Sequence, residues 1–252
     1  MKIDKIKLVA FDLDDCLFNS TDLSEKARIK GIDAMRDLGL RIDRERAIKI
    51  LMEVVEEYGS NFGYHYDYFF RRLEHTDDSF KVSFDTRYKC IAGAVMAYHK
   101  EKIDSIRLYD DVREVLEKLK EMDIKTAIIT DGRIIKQYEK VLRLGIDDLI
   151  DYVIVSDEIG IKKPNEKLFE YCLRKAGVKS KEAIYIGDRI DKDIKPASKL
   201  GIHSVYIHRG GKHDFNKSDV EKPEQVSPEY EISNMRGLID IINEINEKEW
   251  DN

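Results

Sequence analysis

Nowhere in the 252-residue chain does an apolar run approach the roughly 20 residues needed to cross a bilayer, so no membrane partner is expected. Cysteine is scarce: Cys16, Cys90 and Cys172 are odd in number, widely spaced and form no CxxC pair, the usage of a reduced, cytoplasmic protein. Lys2, Asp4 and Lys5 interrupt the first residues, so no signal peptide is expected. A dominant charge is missing as well, since 44 Lys plus Arg stand against 50 Asp plus Glu for a formal charge of -6. That balance gives no field to attract nucleic acid or a lipid surface, and the expected partner is a small molecule. Glutamine is nearly absent, with Gln137 and Gln225 alone among 37% charged residues. Heat-adapted proteins with surface ion-pair networks share this bias, as does any well-solvated surface.

What the chain has is 42% apolar residues, enough for a core in one large domain or two modest ones. Short apolar runs at Ile6 to Phe11, Thr126 to Ile129, Tyr152 to Val155, Ala183 to Ile186 and Ser204 to Ile207 read as buried parallel strands. Val112, Val115, Leu116, Leu119 and Met122 repeat at helical spacing, as do Leu168, Phe169, Cys172 and Leu173 between Pro164 and Gly177. The alternation implies an α/β fold, a doubly wound parallel sheet with helices on both faces.

After the first strand that alternation stops and resumes only near Leu108. The intervening residues carry helical patterns over Ser24 to Leu38, Arg44 to Tyr58, Tyr66 to Glu74 and Thr86 to Glu101, with Asp22 expected as the first N-cap and Glu25 three residues on. A helical insertion over 18–105 is therefore expected to form its own small domain, leaving 1–17 and 106–252 as the core. Gly210 to Pro228 reads as a polar loop before a closing helix from Met235 to Ile245.

The strands end in chemistry. Asp12 and Asp14 follow the first, Thr130 the second, Ser156 the third and Asp188 the fourth, and parallel sheets bring such ends to the edge where these folds place ligands. Paired carboxylates at the end of a buried strand need a compensating cation, whereas a lone Asp there, Asp15 included, serves equally well as a turn or helix cap. Thr130, Asp131 and Gly132 form a turn that offers a hydroxyl and backbone N–H groups to an anion, although Thr at a strand end is more often a cap. Lys163, held before Pro164, can reach back over the sheet edge to a phosphoryl group, with Lys162 solvated. In GDRIDKDI, Gly187 permits a tight turn and Asp188 lands beside the first carboxylates. Asp193 is either a second metal ligand or the partner that orients Lys163, and Asp191 is exposed. An all-oxygen set of this kind favours a hard ion, with magnesium the default.

Taken in order, DLDDCL, IITDG, GIKKP and GDRIDKDI resemble the four motifs of the haloacid dehalogenase superfamily, from Asp12 to Asp193, and the insertion resembles its C1-capped branch. The resemblance implies a Rossmann-like core with the first strand at its centre and a helical cap domain inserted after it. It implies a magnesium-dependent phosphatase of the phosphoglycolate phosphatase-like or archaeal glyceraldehyde 3-phosphate phosphatase-like kind. Asp12 would be the nucleophile, Asp14 the acid and base, and Thr130 and Lys163 the phosphate holders. Asp188 would bind the metal with Asp12 and the carbonyl of Asp14. Members usually carry Thr, Val or Gly where this chain has Cys16, which puts local support of that loop in question.

A dehalogenase would leave Asp14 without a task, because a halide needs no proton. A phosphomutase shares every motif, whereas a phospho-receiver does not place the carboxylate pair on its first strand and has no use for a large cap. A binding protein would keep the site inert. The cap is expected to select the leaving group, with Asn19 and the cluster Tyr64, His65, Tyr66, Arg71, Arg72 and His75 as candidates beside the alternative that they pack. The expected substrate is a small phosphorylated metabolite and the expected state is monomer or homodimer.

Overall fold

A computed structural model describes residues 5–77, 79–211 and 227–248. The chain separates at 21/22 and at 105/106 into two compact units. The sheet unit contains β1 (Leu8–Phe11), β2 (Lys125–Thr130), β3 (Tyr152–Val155), β4 (Ala183–Gly187), β5 (His203–Ile207) and β6 (Tyr230–Ile232). All neighbours pair parallel in the order β3-β2-β1-β4-β5-β6, so β1 stands at the interior with β2 and β4 on its flanks. Every residue of β1 and β4 is buried, which is why these strands read as unbroken apolar runs rather than alternating ones.

Helix α1 (Ser20–Asp37), α2 (Arg44–Tyr58), α3 (His65–Thr76) and α4 (Phe84–Ser105) occupy the insertion. Back in the sheet unit, α5 (Arg113–Glu121) packs on β2. There follow α6 (Ile134–Leu144), the single turn α7 (Ser156–Ile159), α8 (Glu166–Ala176), the short α9 (Lys195–Lys199) and α10 (Gly237–Lys248). Helix α8 packs on β2 and β3. Its inward stripe of Leu168, Phe169, Cys172, Leu173 and Ala176 meets Leu8, Ala10, Ala127, Ile129, Ile154 and Tyr185 in one cluster. Asn165 caps α8 by accepting from Lys167 N at 3.1 Å, and Gly177 ends it in the left-handed region at φ 71°. In the helical unit Ile32, Met35, Leu51, Phe69, Phe70, Leu73, Cys90 and Ala94 form a separate core.

The first helix starts earlier than its sequence suggests. It begins at Ser20, so Asp22 lies inside the first turn and is not the N-cap. Asp15 caps it instead: its carboxylate accepts from Thr21 N at 2.9 Å and from Thr21 Oγ1 at 2.6 Å, while its own backbone stands at φ 62°. β6 is a further departure, a three-residue edge strand with half-polar sequence that gives no apolar run. The polar loop expected over 210–228 lies outside the described residues except for positions 210, 211, 227 and 228. No helix among the described residues is long and apolar enough to cross a membrane.

Phe169 is fully buried, with its ring centroid 4.8 Å from that of Tyr185. Phe169→Ala should lower the unfolding free energy by about 3–5 kcal/mol. Urea denaturation followed by circular dichroism measures it, and a loss below about 1 kcal/mol would show that α8 does not anchor this face.

Candidate active site

The parallel register brings the C-terminal ends of β1, β2 and β4 side by side. Asp12 leaves β1 with its N–H donating to Ile186 O at 2.8 Å, which holds it against β4. Lys163, from the loop before α8, places Nζ 2.7 Å from Asp12 Oδ1 and 2.7 Å from Asp193 Oδ1. Tyr185 Oη donates to the same Asp193 oxygen at 3.0 Å. Arg189 N donates to Asp193 Oδ2 at 3.2 Å, so protein donors engage both oxygens of that carboxylate.

Asp193 comes so close because β4 ends in glycine: a Cβ at Gly187 would collide with the Asp193 side chain. A π-helical turn over Ile190–Ile194 then carries Asp193 inward, while Asp191 stays exposed and pairs with Arg189 at 2.9 Å. Ligand oxygens of Asp12, Asp188 and Asp193 all lie within 4.8 Å of one another, and all three residues are buried.

Among the described residues one ammonium, that of Lys163, bonds two of these three carboxylates, Asp12 and Asp193. Burial raises the Asp12 carboxyl to about 7; Lys163 opposes the shift and Asp193 adds to it. Burial likewise pushes Asp188 up to about 8, reinforced by Asp12 and Asp193. For Lys163 burial works the other way, but Asp12 and Asp193 outweigh it and raise the ammonium above the ordinary lysine range. With all three carboxylates ionised the cluster carries two negative charges more than its lysine neutralises. Oxygen donors with that deficit fit a hard divalent cation.

The turn after β2 is tied to this centre. Asp131 Oδ1 accepts from Lys163 N at 3.1 Å, which fixes the chain that carries the lysine. Gly132 N donates to Ser156 Oγ at 3.1 Å. Gly132 itself stands at φ 137°, and a Cβ there would strike the Gln137 side chain. Thr130 ends β2 fully buried, and Lys162 is exposed. Support for the loop after β1 comes from two directions: Cys16 Sγ donates to Ile186 O at 3.8 Å and Arg209 Nε donates to Cys16 O at 3.1 Å.

Asp14 behaves differently from Asp12. Its carboxylate lies outside the three-residue group and faces α6, where Lys140 Nζ approaches its two oxygens at 2.8 and 2.6 Å. Sequence reading missed Lys140, Gln137 and Tyr185. A signal existed, because Gln137 sits on the inward stripe of α6 between Ile134 and Val141, where a polar side chain needs a buried partner.

The residues expected to select a leaving group differ in their surroundings. Asn19 is exposed on the loop before α1, and Tyr64 and His75 are exposed. Tyr66 is buried in the helical core. Arg72 pairs with Glu57 and Glu53, Arg71 stacks 4.8 Å over the Tyr68 ring, and His65 Nε2 lies 2.9 Å from Gly59 O.

Residues 39–207 match the family model described as haloacid dehalogenase-like hydrolase. The chain is 41% identical to a glyceraldehyde 3-phosphate phosphatase of Methanopyrus kandleri, over 95% of this chain and 98% of that one. It is 38% identical to a protein of the same name from Methanocaldococcus jannaschii, over 94% and 97%. The crystal structure of a HAD phosphatase from Thermococcus onnurineus shares the fold with a TM-score of 0.62 at 24% identity, over 94% of this chain and 98% of that one.

The raised carboxyls give a sign to the pH dependence. Folding holds protons on Asp12 and Asp188 that the unfolded chain releases near pH 4, so this contribution is complete at low pH and is lost as pH rises through about 8. A divalent cation must displace those protons. Thermal melts with and without Mg2+ at about pH 5 and about pH 9 should show a larger magnesium-induced rise at the higher pH. An equal rise at both would mean that the cation does not bind these carboxylates.

Proposed function

From its membership of the haloacid dehalogenase-like hydrolases, in which it is a phosphoric monoester hydrolase acting on a small phosphorylated metabolite, we propose that this chain works through Asp12 as covalent nucleophile on a triose phosphate. The observation that carries the mechanism is Lys163 Nζ at 2.7 Å from both Asp12 and Asp193 within a group of buried carboxylates. Relatives named glyceraldehyde 3-phosphate phosphatase, matched over nearly their whole length, support that compound as substrate.

In the first step an Asp12 oxygen forms a bond to phosphorus as the bond to the ester oxygen breaks, and Asp14 gives its proton to the departing alkoxide. In the second step Asp14 takes a proton from water, the water oxygen attacks the aspartyl phosphate, and phosphate leaves with Asp12 restored. Lys163, Thr130 and the backbone N–H of Asp131 hold the phosphoryl oxygens, whereas the Gly132 N–H, also expected there, is taken by Ser156 Oγ. Asp12, Asp188 and the main-chain carbonyl of Asp14 would hold Mg2+, which supplies neutralisation of phosphoryl charge when bound. Asp193 serves that set by orienting Lys163, to which its Oδ1 is bonded at 2.7 Å while the Arg189 N–H steadies Oδ2.

The reading predicts that Asp12→Asn abolishes turnover, and that Asp14→Asn slows it by about 10²- to 10⁴-fold by impairing both proton transfers. Among phosphorylated metabolites assayed with Mg2+, glyceraldehyde 3-phosphate should give the highest kcat/KM, with phosphoglycolate the principal competitor, and chelation should remove activity. Full turnover by Asp12→Asn would refute the nucleophile, and a strong preference for another ester would refute the substrate.

A further inference from the structure

Asp14 is clasped by a cation that phosphoryl transfer does not itself require. Lys140 Nζ donates to Asp14 Oδ1 at 2.8 Å, to Asp14 Oδ2 at 2.6 Å and to Gln137 Oε1 at 3.0 Å, which uses all three of its N–H groups. Gln137 is itself buried and donates through Nε2 to Asp131 O at 3.0 Å. Lys140 therefore has a fixed address: its neighbour one turn back on α6 is anchored to the turn after β2.

An ordinary surface ion pair contributes little and carries no function. This one differs in three respects. Its partners are 126 residues apart in sequence, so it is not a local helix pair. Lys140 bonds both carboxylate oxygens, which restricts the rotation of Asp14 as a single contact would not. The side chains keep 21% and 32% of their exposure, at the rim of the buried carboxylate group rather than out on an open helix face. Asp14 is also the carboxylate whose direction matters, because a proton donor must lie within hydrogen-bond reach of the oxygen it serves.

We propose that Lys140 is a positioning residue for Asp14, holding the acid–base carboxylate by both oxygens while Gln137 holds Lys140. The inference rests on the assignment of Asp14 as acid and base. Its signature is a dependence on the leaving group. When phosphorus passes to Asp12, an alkoxide needs the Asp14 proton as its bond to phosphorus breaks, whereas a dinitrophenolate departs without one. For each ester kcat/KM reports only the steps up to that departure.

Lys140→Met should therefore lower kcat/KM about tenfold on glyceraldehyde 3-phosphate and less than about twofold on dinitrophenyl phosphate, with Mg2+ present. Lys140→Arg, which can bond both oxygens, should stay within about threefold of the unmodified enzyme on both. In an Asp14→Asn background, Lys140→Met should cost nothing further, because the two residues act as one unit. Equal losses on the two esters, or an additional loss in the double variant, would overturn the proposal. If Asp14→Asn itself shows no preferential loss on the alkyl ester, the acid–base assignment falls instead, and the positioning role with it.

Discussion

Three buried carboxylates, two of them bonded to Lys163, set the terms for the rest of the sheet unit. Removing Asp12, Asp188 and Asp193 from water is costly, and Lys163 offsets only part of that cost. The fold is arranged around the remainder. β1 occupies an interior position so that Asp12 has β2 on one side and β4 on the other. β4 ends in glycine because no side chain fits between its backbone and Asp193. Tyr185 uses its ring for the core against Phe169 and its hydroxyl for Asp193, so one residue links apolar packing to the charged edge.

Asp131 joins the two lysines. Its side chain accepts from the backbone of Lys163, and its carbonyl accepts from Gln137, which in turn accepts from Lys140. One turn after β2 thus sets both the cation beside Asp12 and the cation beside Asp14. Gly132, adjacent to it, makes room for Gln137. A residue that reads in sequence as part of a phosphate-holding turn is, in the structure, also the brace between two charged pairs.

The sheet was legible because its central strands are buried on both faces and stand out as apolar runs, and the strand-end residues because parallel strands bring their C-terminal ends to one edge whatever their order in the sheet. Other parts were hidden for particular reasons. Asp15 caps α1 from five residues before the helix start, with a positive φ, so the local pattern at Asp22 and Glu25 was the wrong guide. β6 has no apolar signature of its own. Lys140 carries no motif of its own in the sequence, and only its distance to Asp14 distinguishes it. Tyr, His and Arg in the helical unit were conspicuous by composition, yet Arg72, Arg71 and Tyr66 are engaged in ion pairing, stacking and packing within that unit. Residue type at helical spacing does not separate such uses from ligand recognition.

Nucleophilic attack by Asp12 on phosphorus is the central claim, and trapping the phosphorylated enzyme tests it most directly. Borohydride added during turnover reduces an aspartyl phosphate to homoserine, which peptide mass spectrometry locates in the chain. The account predicts conversion at position 12 alone, dependent on substrate and Mg2+. Conversion at another carboxylate, or active enzyme that yields none, would contradict it.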